Sequence, residues 1–152
     1  MSTRLTIGDL PMVESHSLKL AFGVAGVQEG ISEYLSSSLK RKGYESASSS
    51  VLNFLGALEC GVNFGSEIAR NLGVSRQMVA KTVKELCRVG YLDQKEGEGK
   101  QKQIVFTLLG EQLMSDSRLL LAELDGILVN TVGEKGLVEL IGNLEKILSL
   151  IT

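Results

Sequence analysis

Ser66-Glu67-Ile68-Ala69-Arg70-Asn71-Leu72, then Gly73-Val74-Ser75, then Arg76-Gln77-Met78-Val79-Ala80-Lys81-Thr82-Val83-Lys84-Glu85-Leu86-Cys87-Arg88-Val89 is the stretch that decides how this chain folds. It reads as helix, tight turn, helix. Ile68 and Ala69 before the turn, Gly73 at its corner and Val79 after it are the residue types that let two helices cross closely. Ala69 is small where the helices touch, and Gly73 can take the left-handed conformation that a tight turn needs. Ser75 is placed to cap the second helix, whose first turn then offers free N–H groups and the positive end of the helix dipole, suited to a phosphate.

On a wheel of about 100° per residue, Val79, Val83 and Leu86 fall within about 60° of one another on one side. Gln77, Lys81, Lys84 and Arg88 fill a similar arc on the other side. A lysine-rich outer face alone is what any solvated helix carries; the preceding turn is what gives it meaning. In that geometry Arg76 and Gln77 are the first side chains able to reach base edges in a major groove, arginine being suited to guanine and glutamine to adenine.

Downstream, Gly90-Tyr91-Leu92 leaves the helix and leads into Asp93-Gln94-Lys95-Glu96, a Gly97-Glu98-Gly99 turn and the β-branched run Gln103-Ile104-Val105-Phe106-Thr107. This is a hairpin signature, and the only clear strand pair in the sequence. Lys100 and Lys102 are the cations read at its tip. Thr107 is placed to cap a further helix through Leu109, Leu113, Met114, Leu120, Leu121, Leu124 and Leu128, which Gly133 breaks. The tail resumes with Leu137, Leu144 and Ile151 seven apart and a second seam at 140/141 and 147/148, a pattern that wants a partner.

Upstream, Leu20, Val24, Val27, Ile31 and Leu35 recur at helical spacing, with Ala21, Phe22, Gln28 and Tyr34 widening the face of a long helix from Leu18 to about Lys40. Lys40-Arg41-Lys42-Gly43 supplies cations at its end and a stop glycine. The serines at 46 and 48–50 precede an apolar run and mark a helix start, giving a helix over 47–59. The leader, 1–17, shows no basic segment followed by an apolar core and cleavage site, and no stretch reaches 18 uninterrupted apolar residues. A cytoplasmic location with no membrane partner is the expectation.

The chain has 152 residues, 43% hydrophobic and 22% charged, with one proline and 5% aromatic, the balance of a folded, helix-rich protein. Its net charge of −2 hides an asymmetry. Between Ser66 and Thr107 stand eight basic and five acidic side chains, a local +3; the remainder holds eight against thirteen, or −5. A basic module in an acidic chain fits a nucleic-acid contact confined to one segment.

Nothing points to catalysis. His16 is the only histidine and is read in the leader, which leaves neither a triad nor a metal site. Cys60 and Cys87 have no neighbour at metal spacing and read as reduced, packed thiols. A reactive Cys87 thiolate would need cationic help from Arg88 or Lys84. Gly97-Glu98-Gly99 lacks the Gly-Lys-Ser/Thr of a phosphate loop. No enzyme activity, cofactor or metal is expected.

Helix-turn-helix and hairpin together resemble the MarR family of bacterial and archaeal regulators. The resemblance rests on Ser66-Glu67-Ile68-Ala69, Leu72-Gly73-Val74-Ser75-Arg76-Gln77, Val79, Val83, Leu86, Val89-Gly90-Tyr91-Leu92 and Phe106-Thr107-Leu108-Leu109-Gly110. It extends to the long leading helix and two trailing helices. What it implies is a mainly α fold with a small β-hairpin, one domain over 1–152. A winged helix-turn-helix would occupy 46–108, flanked by dimerisation helices at 18–42 and 109–151. The implied function is that of a sequence-specific, double-stranded DNA-binding transcriptional regulator, a homodimeric repressor modulated by a small-molecule effector bound between its dimer and DNA-binding regions. The site residues are then Ser75, Arg76, Gln77, Lys81 and Lys84 on the recognition helix, and Lys100 and Lys102 on the wing. Two departures stand out: the wing tip lacks the family's arginine, and Thr82 is polar where the pattern prefers an aliphatic residue. The rival reading is a winged helix used as a protein-interaction module, which the acidic total and the wing glutamates favour.

Overall fold

The computed structural model describes residues 6, 7, 10, 11, 14–96, 99 and 102–152. The chain divides into two compact units, Met1–Asn53 and Phe54–Thr152.

The first unit opens with a strand pair that the sequence did not announce. β1 (Thr6–Ile7) and β2 (Leu10–Pro11) are antiparallel, with Thr6 opposite Pro11 and Ile7 opposite Leu10. Two residues per strand are too few for alternation to register in the sequence. α1 then spans His16–Arg41, with Ser15 Oγ accepting from the Leu18 amide at 3.4 Å. His16 is therefore the first helical residue, not part of the leader. Lys40 and Arg41 lie in the last turn, and Gly43 carries the chain away with φ 95°, the Tyr44 amide closing on Leu39 O at 3.1 Å. α2 (Ser49–Glu59) starts on the serine cluster, as expected: Ser48 Oγ accepts from the Val51 amide at 3.4 Å, and Ser49 Oγ donates to Ser32 Oγ on α1 at 3.1 Å. Ala47, expected inside this helix, is buried just before it. Apart from half-buried Leu18, the first half of α1 is exposed, including Phe22 at 69% and Val27 at 63%.

In the second unit the core gathers Phe54, Leu55 and Leu58 of α2, Ile68 and Ala69 of α3 (Gly65–Leu72), and Val79, Val83 and Leu86 of α4 (Arg76–Arg88). In α4 the buried residues recur at four- and three-residue spacing, and in α2 Leu58 follows Leu55 by three and Phe54 by four, so burial follows the apolar stripe of these helices. Val83 supplies the contact that polar Thr82 does not. Gly73 lies at φ 67°, ψ 32°, and Val74 N donates to Ala69 O at 3.0 Å, so the corner glycine is used as the sequence demanded.

β3 (Leu92–Glu96) and β4 (Lys102–Phe106) form an antiparallel hairpin in which Leu92 faces Phe106, Gln94 faces Ile104 and Glu96 faces Lys102. Its base is fastened three times. The Tyr91 amide donates to Leu86 O at 2.9 Å, the Thr107 amide to Tyr91 O at 3.0 Å, and Thr107 Oγ1 to Gly90 O. Thr107 also caps α5 (Leu108–Val132), accepting from the Gly110 amide at 3.1 Å. Leu113, Met114, Ser117 and Leu120 of α5 are buried, the Ser117 hydroxyl being satisfied by Leu113 O at 2.8 Å. Gly133, at φ 79°, breaks the chain into α6 (Glu134–Ile151). No residue of α6 is buried; Leu137 and Leu144 are half-buried, while Leu140, Ile141, Leu148 and Ile151 are exposed. Among the described residues, no helix is long and apolar enough to cross a membrane.

Candidate nucleic-acid interface

The candidate surface is built on α4. Ser75 stands outside the helix at φ −73°, ψ 154°, and its Oγ accepts from the Met78 amide at 3.1 Å. One free donor of the first turn is thereby satisfied, and the start of the helix is fixed in direction. Arg76, Gln77, Lys81 and Lys84 are all exposed; Gln77, Lys81 and Lys84 lie on the side opposite Val79, Val83 and Leu86, and Arg76, the first helical residue, stands at the edge of the core stripe beside Val83. Among the described residues, no carboxylate comes within ion-pair distance of Arg76, Lys81 or Lys84.

Arg88 behaves differently. Its Nη2 and Nε donate to Glu85 Oε1 at 2.6 Å and Oε2 at 2.9 Å, a two-pronged pair one helical turn long. The hydrogen-bonded guanidinium holds the Glu85 carboxyl below the usual carboxylate range. Glu85 falls at about 180° on the wheel, beside Lys81 at about 140°. The outer face is thus not purely cationic; among the described residues, its cations without an ion pair are Lys81 and Lys84, with Arg76 at its edge.

The wing is tied to the helix-turn-helix by Asn63, in the loop between α2 and α3. The Ile104 amide donates to Asn63 O at 2.9 Å, and Asn63 Nδ2 donates back to Ile104 O at 3.1 Å. Lys102 is exposed at the start of β4 and faces Glu96 across the hairpin. Lys95 is also exposed and faces Gln103, so it has no acidic residue opposite. Sequence reading passed over Lys95, because only the hairpin register separates it from Lys102. Lys100, with Gly97, Glu98 and Gln101 of the expected tip, lies outside the described residues.

No family model matches the sequence, and no curated protein matches it either. Solved structures do. A MarR transcriptional regulator from Methanosarcina mazei Go1 is similar at TM-score 0.71 and 16% identity, over 89% of this chain and 90% of its own. MepR of Staphylococcus aureus in a DNA complex is similar at TM-score 0.69 and 18% identity, over 91% and 98%. The PcaV transcriptional regulator of Streptomyces coelicolor, in complex with its natural ligand, gives 0.66 and 15% over 95% and 98%. The chain has the MarR fold.

On this MarR fold the remaining sequence candidates sort out simply. Cys60 is exposed just beyond the end of α2, which corrects the expectation of a packed thiol there; Cys87 is half-buried. Burial and the Asp93 carboxylate push the Cys87 thiol up, opposite to the activation a reactive thiolate needs. Lys84 and Arg88 do not reverse this, and Arg88 is held by Glu85. His16 is exposed, and among the described residues no group of acidic, cysteine and histidine side chains is arranged to hold a metal.

Proposed function

We propose that the protein is a sequence-specific, double-stranded DNA-binding transcriptional regulator that acts as a homodimeric repressor in the cytoplasm and catalyses no reaction. The observation that carries this reading is the first three turns of α4: a capped helix start bearing exposed Arg76, Gln77, Lys81 and Lys84, with no carboxylate in ion-pair range among the described residues. Arg76 and Gln77 read base edges, with Ser75 setting the helix direction and Lys81 the adjoining position. Lys84 neutralises backbone phosphate, as do Lys100 and Lys102 on the wing. The MepR–DNA complex supports this reading.

The apolar faces left open on α1 and on α6 support a second copy of the chain as the partner of each, since patches of this kind on a lone subunit favour association. The PcaV complex supports modulation by a small effector. In the second unit a cleft of about 810 Å³ lies between the end of α2 and the start of α5, lined by Leu58, Asn63, Phe106 and Met114 and edged by the Arg118–Glu59 ion pair. That cleft is the effector site we favour.

The test is selection of fragments from random DNA by the purified protein, followed by binding at several salt concentrations. A two-fold related pair of half-sites, bound with affinity that falls steeply with salt, is the expected result. No enrichment, together with no retention on a DNA resin at low salt, would overturn the proposal.

A further inference from the structure

Met78 is 57% exposed, although it belongs to the first turn of α4, where every neighbour on the outer side is polar or charged. Its amide is the one that Ser75 Oγ holds at 3.1 Å, so the backbone beneath this side chain is fixed by the cap. On the wheel it stands at about 200°, some 60° beyond Lys81 and outside the arc of Val79, Val83 and Leu86. An apolar side chain left in water at this point leaves its transfer free energy unused, unless something apolar meets it there. In a major groove the one apolar group on a base edge is the C5-methyl of thymine. We infer that Met78 is a specificity-determining residue that packs on a thymine methyl, adjacent to the base read by Gln77.

This rests on α4 being the DNA-facing helix, and it extends that reading in kind. Arg76 and Gln77 discriminate by hydrogen bonds, whereas Met78 discriminates by the presence of a methyl group. A flexible, polarizable thioether suits such a contact, because it can adjust to the methyl without a fixed donor–acceptor geometry.

The experiment takes the full-length protein and its best selected duplex, then replaces each thymine in turn by deoxyuridine, which keeps every hydrogen-bonding group and lacks only the methyl. For the wild type, one position per half-site should lose affinity by about fourfold, the worth of one buried methyl. In Met78→Ala that position should become indifferent to the replacement, while Met78→Leu, still apolar, keeps the sensitivity. Because the residue is exposed, both variants should show the wild-type circular dichroism spectrum. Sensitivity at the same thymine in Met78→Ala, or wild-type indifference at every thymine, overturns the inference while DNA binding stands. Failure of the wild type to bind any duplex overturns the DNA-binding reading itself, and the Met78 assignment with it.

Discussion

Gly110 lies so close to the backbone of Tyr91 that a Cβ added to it would stand 2.0 Å from the Tyr91 carbonyl oxygen and 3.1 Å from Phe106 Cδ1. The same carbonyl accepts the Thr107 amide, so it cannot swing aside without loosening the hairpin base. Gly110→Ala should therefore destabilise the protein by about 1–3 kcal/mol or more. Gly126, also in α5, has nothing within 4 Å of its added Cβ. Gly126→Ala should instead stabilise by about 0.5–1 kcal/mol. Urea unfolding of the two variants checks the pair; equal midpoints would contradict the packing described.

The proposed function separates base reading from phosphate binding on α4. Arg76→Ala or Gln77→Ala should cost roughly 1–3 kcal/mol on the selected site and blur the preference at one position. Lys84→Ala should weaken all duplexes alike. Unchanged affinity of the Arg76→Ala, Gln77→Ala double variant for the selected site would remove these residues from recognition.

On the wing, Lys95 and Lys102 project from opposite strands, and only Lys102 has a glutamate across from it. Each alanine replacement should reduce the slope of log affinity against log salt by about 1 and leave the preferred sequence intact. A double variant whose slope equals that of the wild type would detach the wing from the interface.

Leu148 is 58% exposed, whereas Leu144, on the same helix, is half-buried within its own protomer. Leu148→Asp therefore probes association with less damage to the fold. It should sediment as a monomer with unchanged helix content and bind a two-half-site duplex more weakly. A wild-type protein that sediments as a monomer at micromolar concentration would contradict the dimer.

Local signals were legible in the sequence, and distant ones were not. Gly73, Ser75, Thr107 and Gly133 act through the residues next to them, and each takes the conformation or capping bond its neighbours call for. The apolar stripe of α4 was legible because a helix has a fixed period. Glu85 was passed over because reading the cations of one face said nothing of the acid among them, or of its pairing with Arg88. The Asn63–Ile104 clasp spans 41 positions, and no local pattern encodes it. The facing of Glu96 and Lys102 depends on a register that the flanking glycines do not dictate. The candidate residues of α4 were thus visible as exposed positions, while the electrostatic setting of the wing had to come from the structure.

Thr107 receives the Gly110 amide and gives its own hydroxyl to Gly90, so the chain that leaves α4 returns to α5 through a gate one residue wide. Everything between those two points hangs from a closed frame whose width does not depend on what it encloses. Residues can then be added to or trimmed from the hairpin tip at a small entropic cost, without re-aiming α4. Under the proposed function, the wing can then vary by insertion and deletion while α4 keeps its aim, so the tip is where the strength of backbone binding can change without a change in the sequence preferred.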